Sequence, residues 1–167
     1  MFDGLVLGVD PGIASTGVAA VRGASGRPRV EWAVTVRTPS GQDEAARLRS
    51  IHTAIADAIR EWSPASVAIE RLAWGRNVVS AMSVARASGV ILLAAAQAGL
   101  PVTEYPPTEV KLGITGSGSA GKDQVRRALA RLLGVTGTPV EPDAADAVAV
   151  AVCHLHQSPL RALVARS

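Results

Sequence analysis

The segment GLVLGVDPGIASTGVAAVRG, residues 4–23, holds two short apolar runs on either side of a turn. The first run contains β-branched residues and stops at Asp10, which is followed by Pro-Gly, so it predicts a strand that ends in a turn. The second run, 15–23, resumes the apolar character and predicts another strand. The next segment, GRPRVEWAVTV at 26–36, alternates in the manner of a half-buried strand. Together these segments predict a three-stranded meander.

Helices and strands then follow one another along the chain. The third strand is expected to place on one face Val30, Trp32, Val34 and Val36, and on the other Glu31, Ala33 and Thr35. Apolar spacing and terminal signals predict helices over 43–62, 77–98, 122–133 and 143–157. Short apolar runs predict strands over 66–70 and 102–105. Thr108 is expected to cap a helical turn, and 113–121 to form a flexible, glycine-rich loop.

This order of elements predicts the α/β class, with a mixed five-stranded sheet flanked by helices. We expect a single domain over 1–167, with 158–167 as a flexible tail, because no linker long enough to divide domains is found.

Composition and charge exclude several classes of protein. No apolar run approaches the length of a membrane span, and the N-terminal segment lacks the features of a signal peptide, so we expect a cytoplasmic protein. A single cysteine, Cys153, rules out an internal disulfide and a cysteine-based zinc cluster, and is interpreted as a core residue. The net charge of +3 is compatible with a nucleic-acid partner. Aromatic residues make up only 3% of the chain, which argues against a surface of many stacked bases.

Acidic residues stand where their apolar neighbours predict burial. Asp10 ends the first strand and Glu70 ends the fourth. Asp143 and Asp146 begin the last helix three residues apart, and therefore share a helix face. Ligands gather at strand ends in open sheets, so these carboxylates are expected to converge. Four carboxylates without a His/Cys set fit hard divalent cations such as Mg²⁺ or Mn²⁺, which would neutralise their mutual repulsion.

Each acid also has a structural alternative. Asp10 could be a turn residue before Pro-Gly, and Asp143 could cap the last helix or complement its dipole. Asp146 could likewise interact favourably with the dipole of the last helix, and Glu70 could form an ion pair with Arg71 or Arg76. The occurrence of all four acids at element ends favours the metal site, although their spacing names no reaction.

The segment GSGSAGKD, 116–123, resembles a phosphate-binding loop but fails its requirements. Asp123 stands where a Ser or Thr is needed to bind Mg²⁺, and no convincing strand precedes the loop. Nucleotide binding is therefore rejected here. Lys122 is a candidate contact to a nucleic-acid phosphate, with a solvated lysine as the alternative. His154 and His156 lie on different faces of the last helix, so a metal pair is not expected.

Four segments together resemble the crossover junction endodeoxyribonuclease RuvC family of Holliday-junction resolvases. They are LGVDPGIASTGVAAV, VAIERLAWGRN, ARASGVILLAAAQAGLPVTEYPPTEVKLGITGSGSAGKDQV and PDAADAVAVAVCHLH, in order over about 4–157. The resemblance implies an RNase H-like fold and a homodimer that nicks two opposing strands of a four-way DNA junction, leaving 5′-phosphate and 3′-hydroxyl ends. It implies that the catalytic, metal-binding residues are Asp10, Glu70, Asp143 and Asp146, holding two Mg²⁺ or Mn²⁺ ions.

The resemblance also implies DNA contacts and partners. Lys111 and Lys122 fall on basic positions near the DNA backbone, and Arg76 is assigned to the same interface. Many members stack a phenylalanine on a base where this chain has Ala73. We expect Trp74 to take over that stacking, the alternative being that it packs inside. The dimer contact is implied for helix 77–98, with the small residues Ala81, Ala85, Ser88 and Gly89. The RuvA–RuvB branch-migration complex is the implied protein partner.

Two other functions compete with resolution of junctions. A related RNase H-like nuclease that trims ribosomal RNA precursors would share the GVDPG start, but the ending PDAADAVAVAVCH and the chain length favour the resolvase. A catalytically silent junction-binding scaffold would gain nothing from clustered anions against DNA, so the four acids argue against it.

Overall fold

The computed structural model describes residues 4–23, 27–71, 78–134 and 141–164, without the side chains of Ser80 and 158–164. The strands are β1 (Leu5–Asp10), β2 (Ser15–Arg22), β3 (Arg29–Arg37), β4 (Ser66–Glu70) and β5 (Val102–Tyr105). The helices are α1 (Glu44–Trp62), α2 (Val78–Gln97), α3 (Pro107–Thr115), α4 (Lys122–Leu133) and α5 (Pro142–Val164).

The five strands form one mixed sheet in the order β3-β2-β1-β4-β5. The meander β1–β3 is antiparallel, because its connections are short, whereas β4 and β5 run parallel to β1 after helical crossovers. The expected α/β class, the five strands and the mixed sheet are therefore confirmed. The central strand β1 carries Asp10 at its carboxyl end.

Alternation along the strands divides the core into two layers. Leu5, Leu7 and Val9 pack with α1 and α2, whereas Val6 packs on the opposite face with α5. Successive side chains of a strand point to opposite faces, so Asp10 lies on the face covered by α5. The same argument places Glu70 on that face, because Ala68 packs there and Ile69 does not.

Helix α5 lies directly on the sheet where two strands have glycine. A β-carbon on Gly17 would overlap the carbonyl oxygen of Asp143, and one on Gly8 would lie 2.8 Å from the β-carbon of Ala151 and would also overlap the carbonyl oxygen of Ala147. Glycine inside a strand often marks such a close backbone approach. These two glycines therefore let α5 cross β2 and β1 at short range.

Several local expectations are corrected by the structure. Thr108 does not cap a helix: α3 begins at Pro107 after Pro106, since proline suits the first helical position. The expected loop 113–121 is helical as far as Thr115, where Gly116 ends α3 in a left-handed conformation. The helix α5 extends to Val164, beyond the expected end at 157.

The third strand contains a bulge that its sequence alternation does not reveal. Val21 pairs with Val30 and Ala20 pairs with Trp32, so Glu31 is an extra residue on β3. As a result Val30 packs on the α5 side of the sheet, opposite to Trp32, and its expected placement on the face of Trp32 is wrong.

Among the described residues, no helix combines the length and the apolar character that crossing a membrane requires.

Candidate functional site

Asp10 and Glu70 end neighbouring parallel strands at the same edge of the sheet. Val9 pairs in register with Ile69, so the acids that follow them lie side by side. Their side chains are joined by a hydrogen bond. Both residues are only partly exposed, on the face that α5 covers.

The first turn of α5 brings two further carboxylates to this edge. Gly17, which touches the backbone of Asp143, is the residue that pairs with Asp10 across β1 and β2. Asp143 therefore lies over the strand end that carries Asp10, and Asp146 follows one turn later. An ion pair of 2.8 Å between Arg37 and Glu141 links the residue before α5 to the end of β3.

The four acids line one cavity of about 740 Å³. Basic side chains from two other helices enter it, Lys111 from α3 and Lys122 from the start of α4. Apolar side chains form much of the remaining wall, among them Val110, Val125, Leu129 and Ala149. The cavity thus combines a cluster of anions, two lysines and an apolar wall.

Burial and mutual repulsion raise the pKa values of three of these acids. Burial, followed by repulsion from Glu70, raises the pKa of Asp10 to about 8. Burial also raises the pKa of Glu70, as does Asp146, against the opposing effect of the hydrogen bond from Asp10. The pKa of Asp146 is raised by burial, and Lys122 partly offsets that rise. In the metal-free cluster, burial and repulsion therefore favour the protonated form of the Asp10 carboxyl.

The donors of this site suit a hard divalent cation. Among the described residues, no group of three or more His, Cys, Asp or Glu side chains is placed to hold a metal ion by itself. Mg²⁺, however, is usually bound by one or two carboxylates together with water and substrate phosphate oxygens. Two pairs of carboxylates beside two lysines fit that pattern of shared ligation.

The structure brings together six of the eight residues predicted for the site. Asp10, Glu70, Asp143, Asp146, Lys111 and Lys122 all line the cavity. Trp74 and Arg76 lie outside the described residues, as does Ala73. The expectation that no strand precedes the segment 116–123 is confirmed, because the helix α3 lies directly before it.

Sequence reasoning missed the residues that assemble the site. Gly8 and Gly17 were not singled out, although a glycine inside a buried strand is a recognisable signal of close approach. The apolar wall from α3 and α4 carried no signal beyond ordinary amphipathic spacing. The sequence gives no signal for the role of His154, which is buried and hydrogen-bonded to two hydroxyls.

Comparison with known proteins decides the family. Residues 6–154 match the family model described as crossover junction endodeoxyribonuclease RuvC. The chain belongs to this family. A RuvC from Moorella thermoacetica is 45% identical over 94% of this chain and 94% of its own. A RuvC from Corynebacterium jeikeium is 43% identical over 95% of this chain and 98% of its own.

Solved structures of the RuvC family share the fold. Thermus thermophilus RuvC superposes with a TM-score of 0.87 at 31% identity, covering 94% of this chain and 96% of that one. The same RuvC in complex with Holliday junction substrate gives a TM-score of 0.89 at 30% identity over the same shares. The RNase H-like fold implied by the resemblance is thereby confirmed. Family membership makes this chain an endodeoxyribonuclease of the class that resolves crossover junctions.

Proposed function

We propose that this protein resolves four-way DNA junctions by divalent-metal-dependent hydrolysis of one phosphodiester bond in each of two opposing strands. The observation that carries the proposal is the convergence of Asp10, Glu70, Asp143 and Asp146 in one cavity with two lysines. A cluster of partly buried anions is unfavourable by itself, so its occurrence at a cavity points to a cationic ligand.

The four carboxylates would hold two Mg²⁺ or Mn²⁺ ions against the scissile phosphate. Such a pair, when bound, supplies activation of a water and stabilisation of the charge on the phosphate and leaving oxygen. Asp10 would be one of the ligands of both ions, because it ends the central strand of the sheet between the other acids. Glu70 and Asp146 would complete the two ligand sets, and Asp143 would serve as a ligand or orient the attacking water.

The two lysines are suited to binding the DNA backbone. Lys111 and Lys122 approach the acids from α3 and α4, so a phosphate over the carboxylates would lie within their field. Lys122 also lies at the first turn of α4, where the helix dipole favours an anion. We propose that these side chains anchor the cleaved strand. Trp74 and Arg76 stay predictions for base stacking and DNA contact.

A homodimer would supply the selectivity for junctions, because two sites on a two-fold axis match a two-fold symmetric branch. The helix α2 carries an exposed ridge suited to such a contact, here called the α2 ridge: Val78, Met82, Ala85, Gly89 and Leu93. Its spacing of three and four residues places these side chains along one face of the helix. Of the small residues expected there, Ala81 instead packs inward, with 7% of its surface exposed.

Two further assignments rest on the family resemblance and stay proposals. The RuvA–RuvB complex is the proposed partner in branch migration. The proposed location is the cytoplasm.

The test is cleavage of a synthetic mobile four-way junction and of a linear duplex with the same sequences, each with Mg²⁺, Mn²⁺ or EDTA. The wild-type protein is expected to make paired symmetrical nicks in the junction alone, with ends that a ligase seals. EDTA and Asp10→Asn should abolish cutting, whereas Asp57→Asn, on the outer face of α1, should retain it. Tight junction binding without cutting under any metal would establish a scaffold, and equal cutting of duplex or RNA would establish a general nuclease.

A further inference from the structure

A buried hydrogen-bond network joins α5 to the neighbouring strands β4 and β5. His154 of α5 lies between two hydroxyls, with Nε2 3.1 Å from Ser66 Oγ on β4 and Nδ1 3.0 Å from Tyr105 OH on β5. Tyr105 and His154 also meet edge to face, with ring centroids 5.8 Å apart. All three residues are buried. A neutral imidazole has one donor and one acceptor nitrogen, so each hydroxyl can find a complementary partner in the ring.

Two members of this network, Ser66 and His154, lie on elements that carry candidate catalytic acids. The third, Tyr105, lies on β5, next to the strand that carries Glu70. Ser66 and Glu70 lie on the same face of β4, four residues apart. Tyr105 is the register partner of Glu70, and its carbonyl accepts a hydrogen bond of 2.8 Å from the amide of Arg71. His154 follows Asp143 by eleven residues, about three helical turns, so both face the sheet from α5.

Close contacts over Gly8 and Gly17 fix how near α5 lies to the sheet, and directional hydrogen bonds add to the definition of its register. The helix meets the sheet through small side chains, such as Ala147 and Ala151 over Gly8. Small apolar surfaces interlock little, whereas hydrogen bonds fix both distance and direction. A satisfied polar network inside an apolar layer can therefore define one register where apolar packing would allow several.

We propose that Ser66, Tyr105 and His154 are positioning residues for the metal-binding acids. They fix the register of α5 against β4 and β5, and hence the separation between the carboxylates of α5 and those of the strand ends. The inference rests on the proposed four-acid metal site. None of the three needs to touch the metal or the DNA. They act by holding the two halves of the ligand set at the distance that shared ligation requires.

The mildest test is Tyr105→Phe, which removes one hydroxyl and leaves the ring, with Ser66→Ala as an independent second variant. Mn²⁺ affinity is measured by calorimetry on the DNA-free protein, and single-turnover cleavage is measured at saturating protein. Both variants are expected to bind Mn²⁺ about 10-fold more weakly and to cleave about 10- to 100-fold more slowly. Junction affinity in EDTA should be unchanged, because the lysines and the outer surface are untouched.

The matched control is Ile55→Val, a small truncation in the core layer on the other side of the sheet. It should lower Tm by about 2–4 °C without altering Mn²⁺ affinity or cleavage. The proposal is overturned if Tyr105→Phe and Ser66→Ala bind Mn²⁺ and cleave like the wild type. It is overturned equally if Ile55→Val reproduces their losses, because the effect would then be general destabilisation. Failure of the wild-type protein to bind Mn²⁺ either alone or with junction DNA would instead refute the four-acid site.

Discussion

The first turn of α5 rests on Gly17, and a β-carbon there would overlap the carbonyl oxygen of Asp143. Gly17 is also the strand partner of Asp10. One glycine thus sets how closely an acid of the helix approaches an acid of the sheet. The site depends on this contact, because carboxylates that share metal ions must lie within a narrow range of distances.

Gly17→Ala should therefore damage both folding and activity. The new methyl group has to push α5 away, and overpacking of this kind costs about 1–3 kcal/mol of the free energy of unfolding. Displacement of Asp143 should slow single-turnover cleavage by about 100-fold. Urea unfolding and junction cleavage measure the two effects. Gly41→Ala is the control, because its β-carbon meets open space, and it should match the wild type in both assays. Wild-type stability and rate in Gly17→Ala would contradict this account of the contact.

The metal-free protein should lose stability as the pH rises from about 4 to about 8. Burial and repulsion from Glu70 raise the pKa of Asp10 from 3.8 to about 8, so over this range the folded state holds a proton that the unfolded state releases. Asp10→Asn removes the ionisable group, and with it the free-energy cost of keeping Asp10 protonated, or of burying its charge, at high pH. In EDTA its Tm should exceed that of the wild type by about 3–8 °C at pH 8, and the difference should shrink towards pH 4. Calorimetric melts across this range provide the measurement, and a difference that does not change with pH would contradict the raised pKa.

Lys122→Ala should weaken junction binding in a salt-dependent way. A lysine that contacts one phosphate contributes about one unit to the slope of log K against log salt. Binding titrations in EDTA at several salt concentrations should show a slope that is smaller by about that amount. Arg60→Ala, on the outer face of α1 and paired with Asp57, should leave the slope unchanged. An unaltered slope in Lys122→Ala would remove this side chain from the DNA interface.

Met82→Glu should convert the proposed dimer to a monomer. Met82 lies in the middle of the α2 ridge with 51% of its surface exposed, and a buried unpaired charge at a dimer contact costs several kcal/mol. Sedimentation should show the change in mass, and paired nicking of the junction should fall while Mn²⁺ binding persists. Thr53→Glu, on an exposed position of α1, is the matched control and should remain dimeric. A dimeric Met82→Glu would place the interface on another surface.

The sequence by itself determined the elements and the residues at their ends. Short apolar runs put Asp10 and Glu70 at strand ends, and helical spacing put Asp143 and Asp146 on one face of α5. These patterns depend only on neighbours along the chain, so they can be read without a structure. The bulge at Glu31 could not be predicted from the sequence pattern, because an extra residue in β3 is defined only by its pairing with β2.

The tertiary structure alone decided how these elements meet. It laid α5 over Gly17 and Gly8, brought Lys111 and Lys122 into the cavity of the acids, and enclosed His154 between Ser66 and Tyr105. Contacts between residues so far apart in the chain arise from the packing of whole faces, where steric fit and hydrogen-bond satisfaction select one arrangement among many with the same local pattern.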